Sequence, residues 1–269
     1  MKHSQRIITA FFIILCIGVL TVLGNHFFIL GINLLALLCL NEIGELKAIY
    51  KNPFTKYSSF LCLTALILST TIPATESFWK SSICIILLIL LFSYILIELV
   101  TKSIKYPTNK PYQAINALLL IGLSFPFAIL IRSSSNGLID VLFILATIST
   151  SDSGAYFTGK LIGKNQLTAI SPKKTIEGTL GGFICSMATS ITLIMLFNLP
   201  ITSYICLAIL LNICAPLGDL HESLTKRTYN AKDSSSLLPG HGGIYDRLDS
   251  YILNFPLFFF FKTLLITHL

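Results

Sequence analysis

Long apolar runs alternate with polar connections of very unequal length. Nine apolar segments stand out, at roughly 7–23, 26–40, 59–73, 81–100, 114–131, 137–150, 178–199, 201–215 and 250–267. Most approach the ~20 residues that a helix needs to cross the hydrocarbon of a bilayer. They are apolar on all sides and lack the ~10-residue alternation of spanning strands. The expected fold is therefore all-α: a polytopic membrane protein of about nine transmembrane helices. The segments at 26–40 and 201–215 are short enough to be tilted, re-entrant or only partly spanning. Pro73, Pro107, Pro200 and Pro216 fall near segment ends, and Pro126 lies inside a segment, where a kink is tolerated. With no internal repeat, residues 1–269 read as a single integral-membrane domain: N-terminal helices over 1–132, then helices and polar loops over 137–269.

Composition agrees with this pattern. Only 12% of the 269 residues are charged, about half the ~25% of a soluble domain. Mean hydropathy is +0.80. The seven cysteines all lie in apolar runs, with no CxxC pair and no nearby histidine at ligand spacing, so they read as small core residues. Lys2 and Arg6 precede an apolar run without an A-x-A cleavage site, which predicts a retained first helix. The net charge of +7 does not imply nucleic acid, since no basic and aromatic surface stretch accompanies it.

The basic residues instead report topology. With the N-terminus in the cytoplasm, sixteen of the nineteen Lys and Arg fall on the cytoplasmic side. Only Lys80 and Arg132 fall outside, and Lys262 lies within the last segment. That bias is a strong positive-inside signal. It predicts an odd helix count and places both long polar stretches where a soluble nucleotide can reach them.

The first of these stretches is 151–178. Its Ser171-Pro172-Lys173-Lys174-Thr175 run, followed by Glu177-Gly178, reads as a turn and helix start, with Thr175 or Ser171 as the cap. Two lysines beside a helix N-terminus suit either an anion site or a positive-inside anchor. Lys160 and Lys164 read as anchors, and Asp152 as either a helix cap or a site residue. The second stretch, 216–250, holds five of the twelve acidic residues. After Pro216, Asp219, Glu222, Ser223 and Lys226 share one helical face in an amphipathic continuation of the eighth segment. A carboxylate so near the hydrocarbon is costly unless paired, hydrated or bound to a cation, which singles out Asp219. Asp246 and Asp249 lie one turn apart where the last helix begins, as caps or as ligands. The glycines of Pro239-Gly240-His241-Gly242-Gly243 permit a turn whose N–H groups form an anion nest. Glu42 and Glu45, with Lys47, read as a helix end near water, and Asp140 as solvated at the outer end of its segment.

Ser223-Leu224-Thr225-Lys226-Arg227, Lys232-Asp233 and Leu238 through Asp249 together resemble the signature of the phosphatidate cytidylyltransferases, or CDP-diacylglycerol synthases. Asp152-Ser153-Gly154-Ala155-Tyr156 and the 171–175 run are similar to a further loop of that family. The likeness covers about 150–269; Thr225 and Ile176 depart from the family's usual aliphatic and aromatic residues without removing a charge. The resemblance implies transfer of CMP from CTP to phosphatidate, a homodimer, and magnesium with or without potassium. It implies Asp219 and Asp246 as metal ligands, surrounded by Ser223, Lys226, Arg227, Lys232, Asp233, His241, Arg247 and Asp249. The implied location is the cytoplasmic (inner) membrane of a bacterium, with the active site on the cytoplasmic face.

The phosphate chemistry fits these groups. A phosphate monoester has a second pKa of ~6 and is largely a dianion at neutral pH, so the attack needs no general base. The barrier is repulsion between two anions, which metal ions and fixed cations offset. The expected division of labour is metal at Asp219 and Asp246, and phosphate neutralisation by Lys226, Arg227 and Arg247. The nucleotide is expected against Gly242, Gly243 and the loop carrying Ser171, Lys173, Lys174, Thr175 and Glu177. The alternatives are a CTP-dependent polyprenol or phytol kinase, which releases CDP, and a transporter. Transporters often carry repeated broken segments, and none is evident in this sequence.

Overall fold

In the computed structural model, the apolar segments that can be followed are helices. The described residues are 15–46, 53–72, 86, 89–90, 93, 110–168, 171, 173–238 and 242–267. A helical stretch over 15–23 is followed by α1 (Asn25–Leu46), α2 (Pro53–Ser69), α3 (Lys110–Gly122), α4 (Phe125–Arg132), α5 (Gly137–Ile162), α6 (Ile176–Leu196), α7 (Ile201–Thr228) and α8 (Tyr245–Thr267). Among the described residues there is no strand, only isolated bridges between Gln166 and Thr175 and between Leu238 and Gly242. The fold class is thus the expected all-α, polytopic one. Among the described residues, five helices are long and apolar enough to cross a membrane: His26–Leu46, Gly137–Ile162, Ile176–Leu196, Ile201–Thr228 and Tyr245–Leu265. The segment expected at 81–100 falls almost wholly outside the described residues, as does the start of the first.

Four segments differ from the sequence pattern for identifiable reasons. The stretches at 26–40 and 201–215 are not short, because α1 runs on to Leu46 and α7 runs unbroken through Pro216 to Thr228. The segment at 137–150 continues as helix to Ile162, so Ser151, Asp152 and Ser153 are mid-helix and Asp152 caps nothing. The run at 114–131 is divided between α3 and α4 at Leu123-Ser124, where Pro126 occupies the first turn of the new helix. The Ser124 hydroxyl bonds back to the Leu120 carbonyl at 2.5 Å.

Two antiparallel hairpins, α5/α6 and α7/α8, form the half of the bundle that carries the motifs. Hydrophobic burial cannot drive helix pairing in lipid, so close packing and interhelical hydrogen bonds do. The inward stripe of α6 is Gly178, Gly182, Ser186, Ser190 and Ile194, at four-residue spacing. A Cβ on Gly182 would lie 2.5 Å from the Ser151 carbonyl oxygen, so the two backbones touch. Thr147 and Ser190 share a hydrogen bond of 3.0 Å, and Ser186 donates to Asn212 of α7 at 2.5 Å. Aromatic packing joins the rest: Phe127 of α4 against Phe259 and Phe260 of α8, and Phe143 of α5 edge-on to Tyr204 of α7.

Polar side chains collect at two opposite ends of these helices. At one end Asp140 is fully buried, not solvated as its position suggested. It pairs with Lys262 and accepts from Tyr204 Oη at 2.6 Å and Ser134 Oγ at 3.1 Å. Sixteen residues separate Lys262 from Asp246 along α8, about 24 Å of helix, close to the hydrocarbon thickness. Glu45 is exposed and pairs with Lys56 at 3.6 Å, whereas Glu42, also expected near water, is buried.

Candidate active site

The last two turns of α7, the first two of α8 and the loop before α6 converge at the other end. Asp219, Glu222, Ser223 and Lys226 lie along one face of α7, as their spacing predicts. Gly218 determines how near α8 comes: a Cβ there would clash with the Asp249 carbonyl oxygen and lie 3.3 Å from the Ser250 Cα. With hydrogen in place of that Cβ, Asp249 reaches the α7 carboxylates. Asp219, Glu222 and Asp249 each offer an oxygen within 4.8 Å of the others. Two carboxylates at that distance repel by about 3–4 kcal/mol at an effective dielectric of ~20, so the arrangement needs positive charge.

The protein supplies part of that charge. Lys174, from the loop before α6, forms an ion pair with Asp219. Lys226 bridges Glu222 at 2.5 Å and Asp246 at 3.0 Å. Asp219 also accepts a long bond from Ser223 Oγ, 3.4 Å. Three carboxylates with oxygen donors inside one ion's reach fit a hard divalent cation such as Mg²⁺.

Asp246 is placed differently from Asp249. Its oxygens accept from the Ser234 N–H at 3.0 and 3.2 Å, from the Gly243 N–H at 2.8 Å, and from Lys226. Its carboxylate is thus turned to the 234–243 loop, and Asp249 is the α8 residue that joins Asp219. Gly242 adopts φ +82°, as a tight turn requires, with Asp246 Oδ2 where a side chain would stand. The Gly243 N–H, expected to face an anion, faces Asp246 instead. His241, with Pro239 and Gly240, lies outside the described residues.

The 163–176 loop is held by its own groups. Thr175, not Ser171, is the N-cap of α6, its hydroxyl accepting from the Gly178 N–H at 3.1 Å. Glu177 accepts from the Lys164 and Asn165 amides and from Asn165 Nδ2 at 2.7 Å, which turns its carboxylate toward this loop. Ser171 accepts the Lys174 N–H through its carbonyl at 3.0 Å, forming the turn that aims Lys174. Lys173, Arg227, Lys232, Asp233 and Arg247 are exposed, and Arg227 makes a long contact with the Ala231 carbonyl, 3.5 Å.

Two residues were under-read from the sequence. Asp152, outside the three-carboxylate cluster, is close enough to feel the charges of Asp219, Lys174 and Arg247. The signal was an acidic residue in a stretch that continues an apolar helix, which loop-like neighbours obscured. The other is Glu42, whose partners lie some two hundred residues away and leave no local trace.

Carboxylates interleaved with lysines at one end of an apolar helical bundle define a membrane-embedded protein built to handle phosphates and their counter-ions. The comparison with known proteins narrows that class. The Cytidylyltransferase family matches residues 4–265, and the chain belongs to that family. It is 34% identical to the phosphatidate cytidylyltransferase of Staphylococcus haemolyticus over 255 residues, 94% of this chain and 96% of the relative. It is 32% identical to that of Bacillus subtilis over 267 residues, 97% and 98% of the two chains, and 30% identical to that of Staphylococcus aureus.

Proposed function

We propose that this protein transfers CMP from CTP to phosphatidate, forming CDP-diacylglycerol and releasing pyrophosphate, as a membrane-bound nucleotidyltransferase of phospholipid biosynthesis. The observation that carries the reading is the Asp219–Glu222–Asp249 cluster, flanked by Lys174 and Lys226, in a chain of this family. The lipid phosphate attacks the α-phosphorus of CTP, and the bond to the β,γ-diphosphate breaks. No proton has to be removed from the attacking dianion.

Asp219, with Glu222 and Asp249 beside it, would hold Mg²⁺. The bound ion supplies the positive charge that lets two phosphate groups approach. Asp246, the other ligand implied by the motif, reaches a metal only by releasing one of its present donors; a second ion such as K⁺ is part of the same proposal. Lys226 keeps Glu222 and Asp246 oriented, and Lys174 stands at the mouth of the cluster. The exposed Arg227, Lys232 and Arg247 supply the positive charge for the lipid phosphate and the leaving pyrophosphate. Exposed Lys173 adds to the same field. The distribution of basic residues favours a cytoplasmic site in a bacterial cytoplasmic membrane, and the family resemblance favours a homodimer.

Purified protein incubated with phosphatidate, labelled CTP and Mg²⁺ tests the reading. Labelled CDP-diacylglycerol and pyrophosphate are expected, and a chelator should stop both. Release of CDP with a phosphorylated lipid alcohol, or solute movement without CTP consumption, overturns it.

A further inference from the structure

Glu42 sits near the C-terminal end of α1, far in sequence from every motif, and is 3% exposed. Each of its two oxygens accepts one hydroxyl and one backbone amide. Oε1 takes Ser235 Oγ at 2.7 Å and the Ile244 N–H at 3.0 Å. Oε2 takes Ser234 Oγ at 2.8 Å and the Tyr245 N–H at 2.8 Å. The last two amides open α8, so Glu42 caps that helix from another helix, with its charge at the positive end of the dipole. Ser234 is gripped twice, by Glu42 through its hydroxyl and by Asp246 through its N–H. Gly243 fits the same arrangement: a Cβ there would strike both Ser234 Oγ and Glu42 Oε2.

We infer that Glu42 is a positioning residue for the reaction. It ties Ser234 and Ser235 to Ile244 and Tyr245, and with them fixes the start of α8, so that Asp246 meets Lys226 and Asp249 meets Asp219. The requirement is for a carboxylate, not merely a polar group. A carboxamide has one acceptor oxygen, and its NH₂ would face one hydroxyl and one amide. The serine can turn its hydroxyl round, but the backbone N–H cannot, and it would be left buried without a partner.

The test is Glu42→Gln in the full-length, detergent-purified protein, with two readouts. One is the rate of tryptic cleavage after exposed Lys232, which needs no assumption about the reaction. The other, which rests on the CMP-transfer reading, is kcat together with the Mg²⁺ concentration for half-maximal activity. Faster cleavage, a roughly 10- to 100-fold fall in kcat and a raised Mg²⁺ requirement, in monodisperse protein, are expected. Wild-type cleavage, kcat and Mg²⁺ requirement would overturn the inference. So would a loss that disappears when activity is expressed per folded molecule, which would make Glu42 a stabilising residue only. If the variant is not recovered folded, Ser234→Ala/Ser235→Ala removes the two hydroxyl donors and is held to the same outcomes. If the wild type itself transfers no CMP, the proposed function fails while the cleavage readout still decides whether Glu42 fixes the loop.

Discussion

Replacing Lys262 by methionine should destabilise the protein without changing its chemistry. Asp140 is fully buried, and Lys262 is its one cationic partner among the contacts described. Tyr204 and Ser134 donate to it but carry no charge. Methionine keeps the volume and reach of the lysine stem while removing the ammonium. Breaking one side of a buried pair typically costs about 3–5 kcal/mol, because the remaining charge is stranded in an apolar interior. For a chain of this size that corresponds to a fall in melting temperature of roughly 10 °C. Asp140→Asn/Lys262→Met removes both charges and should recover most of the loss, since the carboxamide still accepts from Tyr204. Thermal unfolding in detergent, followed by gel filtration, measures both variants against the wild type. Turnover at low temperature should be unchanged, because the pair lies about 24 Å along α8 from Asp246. If Lys262→Met melts with the wild type, or if the double variant is as unstable as the single one, the pair is not a buried, mutually compensating couple.

Three further outcomes are expected. Asp219→Asn should abolish CMP transfer while leaving a monodisperse protein, because the cluster loses the carboxylate that both Lys174 and the proposed cation use; near-wild-type turnover of that variant would remove Asp219 from the mechanism. Gly218→Val should cost at least about 100-fold in kcat by pushing α7 away from the Asp249 backbone, with labelled-CTP turnover as the measure. Thr175→Ala should lower stability by about 1 kcal/mol through loss of the α6 cap, seen as a small drop in melting temperature, while Thr175→Ser restores it.

The sequence was most legible where physics acts locally. Runs of apolar residues announced the helices, and the cap of α6 was narrowed to Thr175 or Ser171, of which Thr175 serves. The four-residue rhythm from Asp219 to Lys226 placed those side chains on one face. What escaped depends on contacts between distant parts of the chain. Ser151, Asp152 and Ser153 resemble a loop by composition, yet they lie mid-helix, and Asp152 is near the charges of Asp219 and Lys174. Asp140 and Lys262 are 122 positions apart, and Glu42 meets its partners at separations of 192 to 203. No periodicity joins such pairs. Which α8 aspartate accompanies Asp219 was likewise set by the 234–243 loop, whose amides occupy Asp246 and leave Asp249 to the cluster.

The double anchoring of α8 limits how the protein can move. Ion pairs hold it near both ends, to α7 through Lys226 and to α5 through Asp140. A piston stroke of even one helical turn, about 5.4 Å, would tear both apart together. Sideways flexing does not carry that penalty, and Pro216 and Pro256 each delete a backbone N–H from the ladders of α7 and α8 between the anchors. Admission of a two-tailed lipid should therefore bow these helices apart around fixed ends, as a slit opens in cloth stitched at both corners.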